Sequence, residues 1–198
     1  GKGTSAAMLM SNFQATLRAN VKYNHANLTL KELVSELNTS VINAAKGEKF
    51  ITFFIGYYNE SNRKLKYVNT GHNFPILLHK GEIKELQTGC TPLGVFEELP
   101  SLESKVLTIE PNTIIVDLST TLADETINFS KRISAEKGSS WIDAPVSGGP
   151  EKALDGSLAI MVGAEQKDLD IISPILKDIS SNFTHFSPVG SGQIVKMI

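Results

Sequence analysis

Apolar residues that recur every three to four positions predict two helices near the start of the chain. The second helix is predicted to begin after Thr29, because Thr29 and Glu32 match a capping box, and to end at Gly47. The first helix is predicted over residues 6–21. Its apolar positions are Ala6, Met10, Phe13, Leu17 and Val21.

A run of strands is predicted to follow these helices. Residues 50–58, FITFFIGYY, are apolar on both alternating faces, which predicts a central strand. The segment PILLHKGEIKEL predicts a hairpin around Lys80-Gly81. Further strands are predicted at LKYV and SKVLTIE. The first 110 or so residues therefore predict two helices followed by antiparallel strands.

After Thr113 the pattern changes to alternating strands and helices, which favours an α/β layer with parallel strands. Helices are predicted over 122–137, from Glu165 and from about Gly192. Ser173-Pro174 is predicted to split the second of these, with Pro174 at a first helical position. The predicted strands are TIIVDL, SWIDAPV, LAIMVGA and FTHFS. No linker marks the change, so we predict two adjoining domains, 1–112 and 113–198.

Composition narrows the possible functions. Of 198 residues, 41% are hydrophobic, and 19 basic against 21 acidic residues give a net charge of −2, which argues against a nucleic-acid binder. The sequence has no apolar run of about 20 residues, which argues against a membrane span, and no signal peptide. Cys90 is the single cysteine, so a reducing cytoplasm is predicted. Gly1 lies within a motif and Ile198 within a predicted helix, and we interpret both ends as cut.

The opening GKGTSAAMLM does not fit a phosphate loop, because Gly3 stands where Ser or Thr is needed. Together with FITFFIGYYN, LKYVNTGHNFPILL and TGCTPLGVF, it resembles the bacterial metal-dependent protein phosphatases of the sporulation-E type. The resemblance covers roughly residues 1–116. It implies a type 2C-like fold and the removal of phosphate from serine or threonine of regulatory proteins. It also implies a Mn or Mg pair held by aspartates, which activates a bridging water.

The metal ligands that this resemblance implies are not found in the sequence. In the family one aspartate lies three residues before GKG, and another lies in a Thr-Asp-Gly turn. Here Asp117-Leu118-Ser119 follows the corresponding strand. Asp117 is a poor substitute, because a one-residue slip on a strand turns the side chain to the other face. We therefore predict no metal ligands.

The remaining polar candidates of the first half have simpler interpretations. His72 could be a ligand or a base, but a turn residue beside the old active site is the favoured interpretation. Lys2 is interpreted as a solvated lysine. Cys90, His25 and His79 have no partners at metal-ligand spacing.

The second half resembles a different family, the β-hydroxyacid dehydrogenases, and especially 3-hydroxyisobutyrate dehydrogenase. The matching stretches are TIIVDLSTT, WIDAPVSGG, GSLAIMVGA and HFSPVGSGQIVKMI. The resemblance implies NAD(P)-dependent oxidation of a small hydroxy acid. It assigns Lys196 as the catalytic lysine that exchanges a proton with the substrate hydroxyl. It assigns substrate anchoring to Ser119, Ser147, Gly148 and Gly149.

The residues themselves fit these roles and also simpler ones. Ser119 follows a strand at the edge where α/β sheets bind ligands, and glycine amides can approach an oxyanion closely. Alternatively, Gly148-Gly149 is a turn, Ser119-Thr120-Thr121 is a helix cap, and Lys196 is a surface lysine.

The dinucleotide site of the second family is missing from the sequence. No GxGxxG follows a strand, and Gly190-Ser191-Gly192 is followed by Val195 where the third glycine belongs. The asparagine expected after Lys196 and the family's long helical second domain are not in the sequence either. We predict no cofactor-binding residues and no tight binding of NAD(P), Mn or Mg.

We interpret the chain as a hybrid of mixed α/β and α+β class, without a complete active site. An antiparallel sheet with two helices, a partial phosphatase fold, precedes a partial Rossmann-like α/β segment. One alternative is NAD(P)-dependent oxidation of a small β-hydroxy acid by the second half. Another is phosphoprotein phosphatase activity in a sigma-factor regulatory pathway by the first half. Expected partners are a small hydroxy acid or a phosphoprotein, and further copies through exposed sheet edges, with no nucleic acid or membrane.

Overall fold

The computed structural model describes residues 3–23, 28–79, 82–135 and 139–198. The chain divides into two compact units, one up to Thr108 and one from Ile109. The mixed class is confirmed, because helices with a mostly antiparallel sheet precede an α/β segment. No described helix has both the length and the apolar character needed to cross a membrane.

Two helices open the first unit, α1 (Thr4–Tyr23) and α2 (Leu30–Ala45). The predicted capping box is confirmed: the Glu32 N–H donates to Thr29 Oγ1 over 3.2 Å, and the Thr29 N–H donates to Glu32 Oε2 over 2.6 Å. The bond from the Thr29 backbone lowers the pKa of Glu32. Lys46 ends α2 in the left-handed conformation and donates its N–H to Ile42 O. Local sequence thus fixes both ends of α2.

The described residues of the first unit also contain six strands. They are β1 (Phe53–Asn59), β2 (Lys64–Thr70), β3 (Ile76–His79), β4 (Glu82–Glu85), β5 (Gly89–Cys90) and β6 (Lys105–Thr108). β2 pairs antiparallel with β1 and β6 and parallel with β5. β3 and β4 form a separate hairpin whose predicted turn, Lys80-Gly81, lies outside the described residues.

The prediction that FITFFIGYY is a central strand is wrong. Within the described residues, β1 pairs with β2 alone and lies at the sheet edge. Its two apolar faces have separate causes: Phe53 packs edge-on against Phe13 of α1 at 5.0 Å between ring centroids, and Phe54 stacks on Tyr67 at 5.5 Å. Because both faces of β1 make aromatic contacts, both are apolar in sequence, as they would be in a central strand.

The part of the second unit that the structure describes contains five strands. They are β7 (Ile114–Asp117), β8 (Ser140–Asp143), β9 (Val146–Ser147), β10 (Ala159–Gly163) and β11 (Asn182–Phe186). The helices are α3 (Ala123–Ala135), α4 (Gly149–Leu154), α5 (Gln166–Ile179) and α6 (Ser191–Met197). The strand order is β11-β10-β8-β7, with β9 beside β10. The core joins one face of this sheet to α5 through Ile142, Ile160, Val162, Leu169 and Ile172.

The expectation of parallel strands holds for two pairings and fails for two others. β7 pairs parallel with β8, and β10 parallel with β11. However, β8 and β9 run antiparallel to β10, with Asp143 opposite Gly163 and Ser147 opposite Ala159. The chain between β9 and β10 holds only the six-residue α4, and it enters β10 in the direction opposite to β9. The chain therefore turns back on itself.

The predicted split at Ser173-Pro174 is also wrong, because α5 continues through Pro174. The Ser173 hydroxyl donates to Leu169 O over 2.7 Å. Leu169 and Ile172 before the proline, and Leu176 after it, are all buried in the same core. Packing along the whole length of α5 thus outweighs the backbone hydrogen bond lost at Pro174.

Candidate functional site

The loop after β7 carries Ser119, the first predicted substrate anchor. Asp117, the last residue of β7, accepts two hydrogen bonds through Oδ1, from Ser119 N at 3.0 Å and from Ser119 Oγ at 2.5 Å. The carboxylate that was considered as a substitute metal ligand therefore shapes this turn. Ser119 is exposed, and its hydroxyl oxygen keeps lone pairs for a ligand.

Asp143, at the end of β8, anchors the start of α6. Its side chain is fully buried and accepts backbone N–H groups from Gly190 at 2.6 Å and Gln193 at 2.9 Å. A Cβ on Gly192 would lie 2.3 Å from Met161 O and 2.8 Å from Asp143 Oδ2, so the helix approaches as closely as a glycine permits. Burial raises the pKa of Asp143, and the backbone N–H bonds oppose this rise without cancelling it. Asp143 thus holds the first turn of α6 by accepting its backbone N–H groups.

Gln193 connects α6 to the Ser119 loop. Its side chain is fully buried; Nε2 donates to Ser119 O over 2.9 Å, and Oε1 accepts from Thr121 N over 3.0 Å. Lys196, the predicted catalytic lysine, lies three residues further on the same helix and is half-buried. Residues three apart on a helix are neighbours. Ser119 and the helix of Lys196 are therefore held together by side-chain hydrogen bonds.

The predicted anchors Ser147, Gly148 and Gly149 form the turn between β9 and α4. Gly148 and Gly149 have φ angles of 138° and 74°, which glycine adopts without strain. A Cβ on Gly148 would lie 2.6 Å from Lys152 Cβ. The turn interpretation thus accounts for both glycines. Within the described part of the chain, no hydrogen bond joins Ser147–Gly149 to Ser119 or Lys196, so their roles remain predictions.

Sequence reasoning missed Asp143 and Gln193. Both carried a signal: Asp143 interrupts the apolar run WIDAPV, and Gln193 precedes the apolar pair Ile194-Val195. A polar residue inside an apolar run either faces solvent or is buried with partners. The sequence alone did not distinguish these two cases.

The predicted phosphatase motifs of the first unit form a structural turn. Asn69 is buried; its Oδ1 accepts from His72 N over 2.7 Å, and its Nδ2 donates to His72 O over 3.0 Å. A Cβ on Gly71 would lie 2.5 Å from Pro92 Cγ, which brings NTGH against TGCTP. His72 is exposed, with Nδ1 3.1 Å from Thr52 Oγ1. These contacts fit His72 as a turn residue.

The described residues do not fit a two-metal centre. No group of three His, Cys, Asp or Glu side chains able to hold a metal ion occurs among them. Lys2 and His25 lie outside the described residues. Cys90 is half-buried, and its burial raises its pKa, which favours an unreactive thiol.

Comparisons with known proteins reveal two signals. A protein-family model described as stage II sporulation protein E (SpoIIE) matches residues 1–155 and so extends into the second unit. The chain therefore belongs to the SpoIIE family.

The second signal is to hydroxyacid dehydrogenases. The chain is 37% identical over 112 residues to a 2-(hydroxymethyl)glutarate dehydrogenase of Eubacterium barkeri, with 56% of this chain and 37% of that protein covered. Among solved structures, a Mycobacterium tuberculosis 3-hydroxyisobutyrate dehydrogenase with L-serine gives 31% identity and a TM-score of 0.42, over 44% of this chain and 31% of that chain. This chain thus spans about a third of these dehydrogenases.

A structure of the RsbU and RsbW domains of a Mycobacterium tuberculosis protein gives 20% identity and a TM-score of 0.46, over 57% of this chain and 31% of that chain. The family match and the dehydrogenase relatives confirm the predicted double resemblance.

Proposed function

We propose that residues 1–198 join part of a SpoIIE-type phosphatase to part of a β-hydroxyacid dehydrogenase, without a complete active site of either kind. The second unit, in this proposal, binds a small β-hydroxy carboxylate and does not turn it over. The observation that carries the proposal is the Gln193 bridge, which holds the Ser119 loop against the helix of Lys196.

The ligand class follows from the relatives' names. 2-(Hydroxymethyl)glutarate, 3-hydroxyisobutyrate and L-serine each carry a hydroxyl on the carbon β to a carboxylate. Such a ligand needs hydrogen-bond donors for two oxygens and a group for the hydroxyl. Ser147 and the amides of Gly148 and Gly149 supply donors, and Lys196 supplies a cation one turn beyond Gln193. The Ser119 O–H already donates to Asp117, so Ser119 Oγ accepts from the ligand hydroxyl.

The proposal excludes turnover because the second unit offers no nicotinamide site that fits. The sequence lacks GxGxxG, and the GxG of the second unit, Gly190-Ser191-Gly192, makes other contacts. The Gly190 N–H donates to Asp143, and Gly192 is packed against Met161 O, so a pyrophosphate cannot approach either glycine. A hydride carrier supplies the redox chemistry of dehydrogenases. Without it, Lys196 has a binding role alone.

Titration of the chain with 3-hydroxyisobutyrate, followed by amide shifts in ¹H–¹⁵N NMR spectra, tests this proposal. We expect shifts at Ser119, Ser147–Gly149 and Lys196, with a dissociation constant in the millimolar range, or roughly −4 kcal/mol. Lys196→Ala should weaken binding several-fold, since a charged hydrogen bond is lost, whereas the exposed Lys167→Ala should not. Isobutyrate, which lacks the hydroxyl, should bind more weakly. Unmoved amides at these positions, or equal shifts with isobutyrate, would refute the proposal.

Self-association through open sheet edges is a separate part of the proposal. Within the described residues, one side of β1 has no partner strand, and Tyr57 on this strand is 63% exposed. Edges of this kind pair with other chains. We expect light scattering to give a mass above that of the 21.5 kDa chain, and Tyr57→Lys to shift it toward the monomer. A monomer at every concentration would count against this part alone.

A further inference from the structure

Gln193 is unusual because all of its hydrogen-bonding side-chain atoms are used inside the protein. It is fully buried on α6. Its Nε2 donates to Ser119 O, and its Oε1 accepts from Thr121 N of the same loop. Its own N–H donates to the buried carboxylate of Asp143. Gln193 is therefore hydrogen-bonded both to Asp143 at the end of β8 and to the loop after β7.

The chemistry of the bridge requires a side chain that is at once donor and acceptor. The loop presents a carbonyl oxygen, which needs a donor, and an N–H group, which needs an acceptor. A primary amide offers both in one plane without a charge. A carboxylate would face the Ser119 carbonyl with a lone pair, and an apolar side chain would leave two partly buried backbone groups without a partner.

We propose that Gln193 is a positioning residue that sets the distance between Ser119 and Lys196 and thereby the affinity for the hydroxy acid. Asp143 holds the backbone of Gln193, so the position of the bridge depends on β8. This inference rests on the proposed function, since it assigns the arrangement of that same site to one side chain. Gln193 itself needs no contact with the ligand.

Gln193→Glu tests this role through pH. Protonated glutamic acid has one O–H donor and one carbonyl acceptor and can replace both hydrogen bonds of the amide. Ionised glutamate cannot donate to Ser119 O. Burial and the facing carbonyl oxygen should raise the pKa of the introduced carboxyl. The carboxyls next to the bridge are Asp117 and Asp143, and Lys196 lies one turn away, so the parent chain is scanned over the same pH range as the reference.

We expect Gln193→Glu to bind 3-hydroxyisobutyrate roughly tenfold more weakly than the parent at about pH 8, and within about twofold of it at an acidic pH below the raised pKa. The amides of Ser119 and Thr121 should shift with the same midpoint. Gln166→Glu, on the exposed surface of α5, should match the parent at every pH. A purely structural role would give a loss of affinity that acid does not restore, and equal affinities at all pH values would also overturn the inference.

Two further readouts keep the test decisive. If the parent chain binds no hydroxy acid, the proposed function fails, and the inference is still judged on the pH-dependent shifts of Ser119 and Thr121, which need no ligand. If Gln193→Glu does not fold, Gln193→Asn replaces it. This amide is one methylene shorter and should lose protection of the Thr121 amide from hydrogen exchange, whereas unchanged protection would contradict the bridge.

Discussion

Replacing Asp143 with alanine is expected to lower the free energy of unfolding of the second unit by about 3 kcal/mol. The change leaves the N–H groups of Gly190 and Gln193 without their acceptor in a buried place. A buried unsatisfied N–H costs on the order of 1–3 kcal/mol, and two are created here. The start of α6 should loosen, and with it the contact to the Ser119 loop.

Trp141 makes this effect easy to follow, because it is the single tryptophan of the chain and lies on β8. It stacks on Phe129 of α3 with 5.8 Å between ring centroids. Denaturant unfolding followed by its fluorescence therefore reports on the second unit. Asp178→Ala, an exposed aspartate on α5, is the matched control and should change stability by less than about 0.5 kcal/mol. Equal curves for the two variants would show that Asp143 does not anchor α6.

The pH dependence of this effect has a definite sign. Burial raises the pKa of Asp143, so the folded state keeps its proton to a higher pH than the unfolded chain does. The resulting stabilisation is full below the ordinary carboxyl pKa of about 3.9 and is lost as the pH rises through the raised folded value. The stability difference between the parent and Asp143→Ala should therefore shrink as the pH rises through this window. A difference that grows with pH would contradict the raised pKa.

The largest effect in the first unit is expected for Asn38→Ala. Asn38 is buried on α2; its Oδ1 accepts from Gly94 N over 2.8 Å, and its Nδ2 donates to Phe96 O at 2.9 Å and Glu97 O at 3.1 Å. These bonds fasten the loop after β5 to the helix. Losing them should cost about 3 kcal/mol in the free energy of unfolding of the first unit.

Asn43→Ala is the matched control, because Asn43 is an exposed asparagine on the same helix. All four tyrosines of the chain lie in the first unit, so tyrosine near-UV circular dichroism follows its unfolding, while Trp141 follows the second unit. We expect Asn38→Ala to move the tyrosine transition more than the tryptophan transition. A tyrosine transition equal to that of Asn43→Ala would refute the assignment.

The sequence predicted most elements of the fold because their signals are local. The capping box of α2 depends on Thr29 and Glu32 alone, and both of its hydrogen bonds form as expected. The errors occurred where packing decides. α5 continues through Pro174 because apolar residues on both sides of it share one core, and β1 lies at an edge although aromatic contacts make both its faces apolar.

Ser119 and Lys196 are predicted as site residues from family motifs, and their roles stay predictions. The structure links the loop of Ser119 to the helix of Lys196. The link itself, Gln193, joins positions that are 74 residues apart in sequence, and no local pattern reports such a contact. Asp143 was likewise hidden within an apolar strand, because a buried carboxylate is explained only by the amides that it meets in three dimensions.

The absence of turnover is tested most sharply by an assay of the 198-residue chain with 3-hydroxyisobutyrate and either NAD⁺ or NADP⁺, followed at the absorbance band of the reduced cofactor. We expect binding of the hydroxy acid by NMR and no formation of reduced cofactor above the rate of a protein-free blank. Reduced cofactor that forms with the parent chain and is lost in Lys196→Ala would contradict this expectation, because the dehydrogenase site would then be complete.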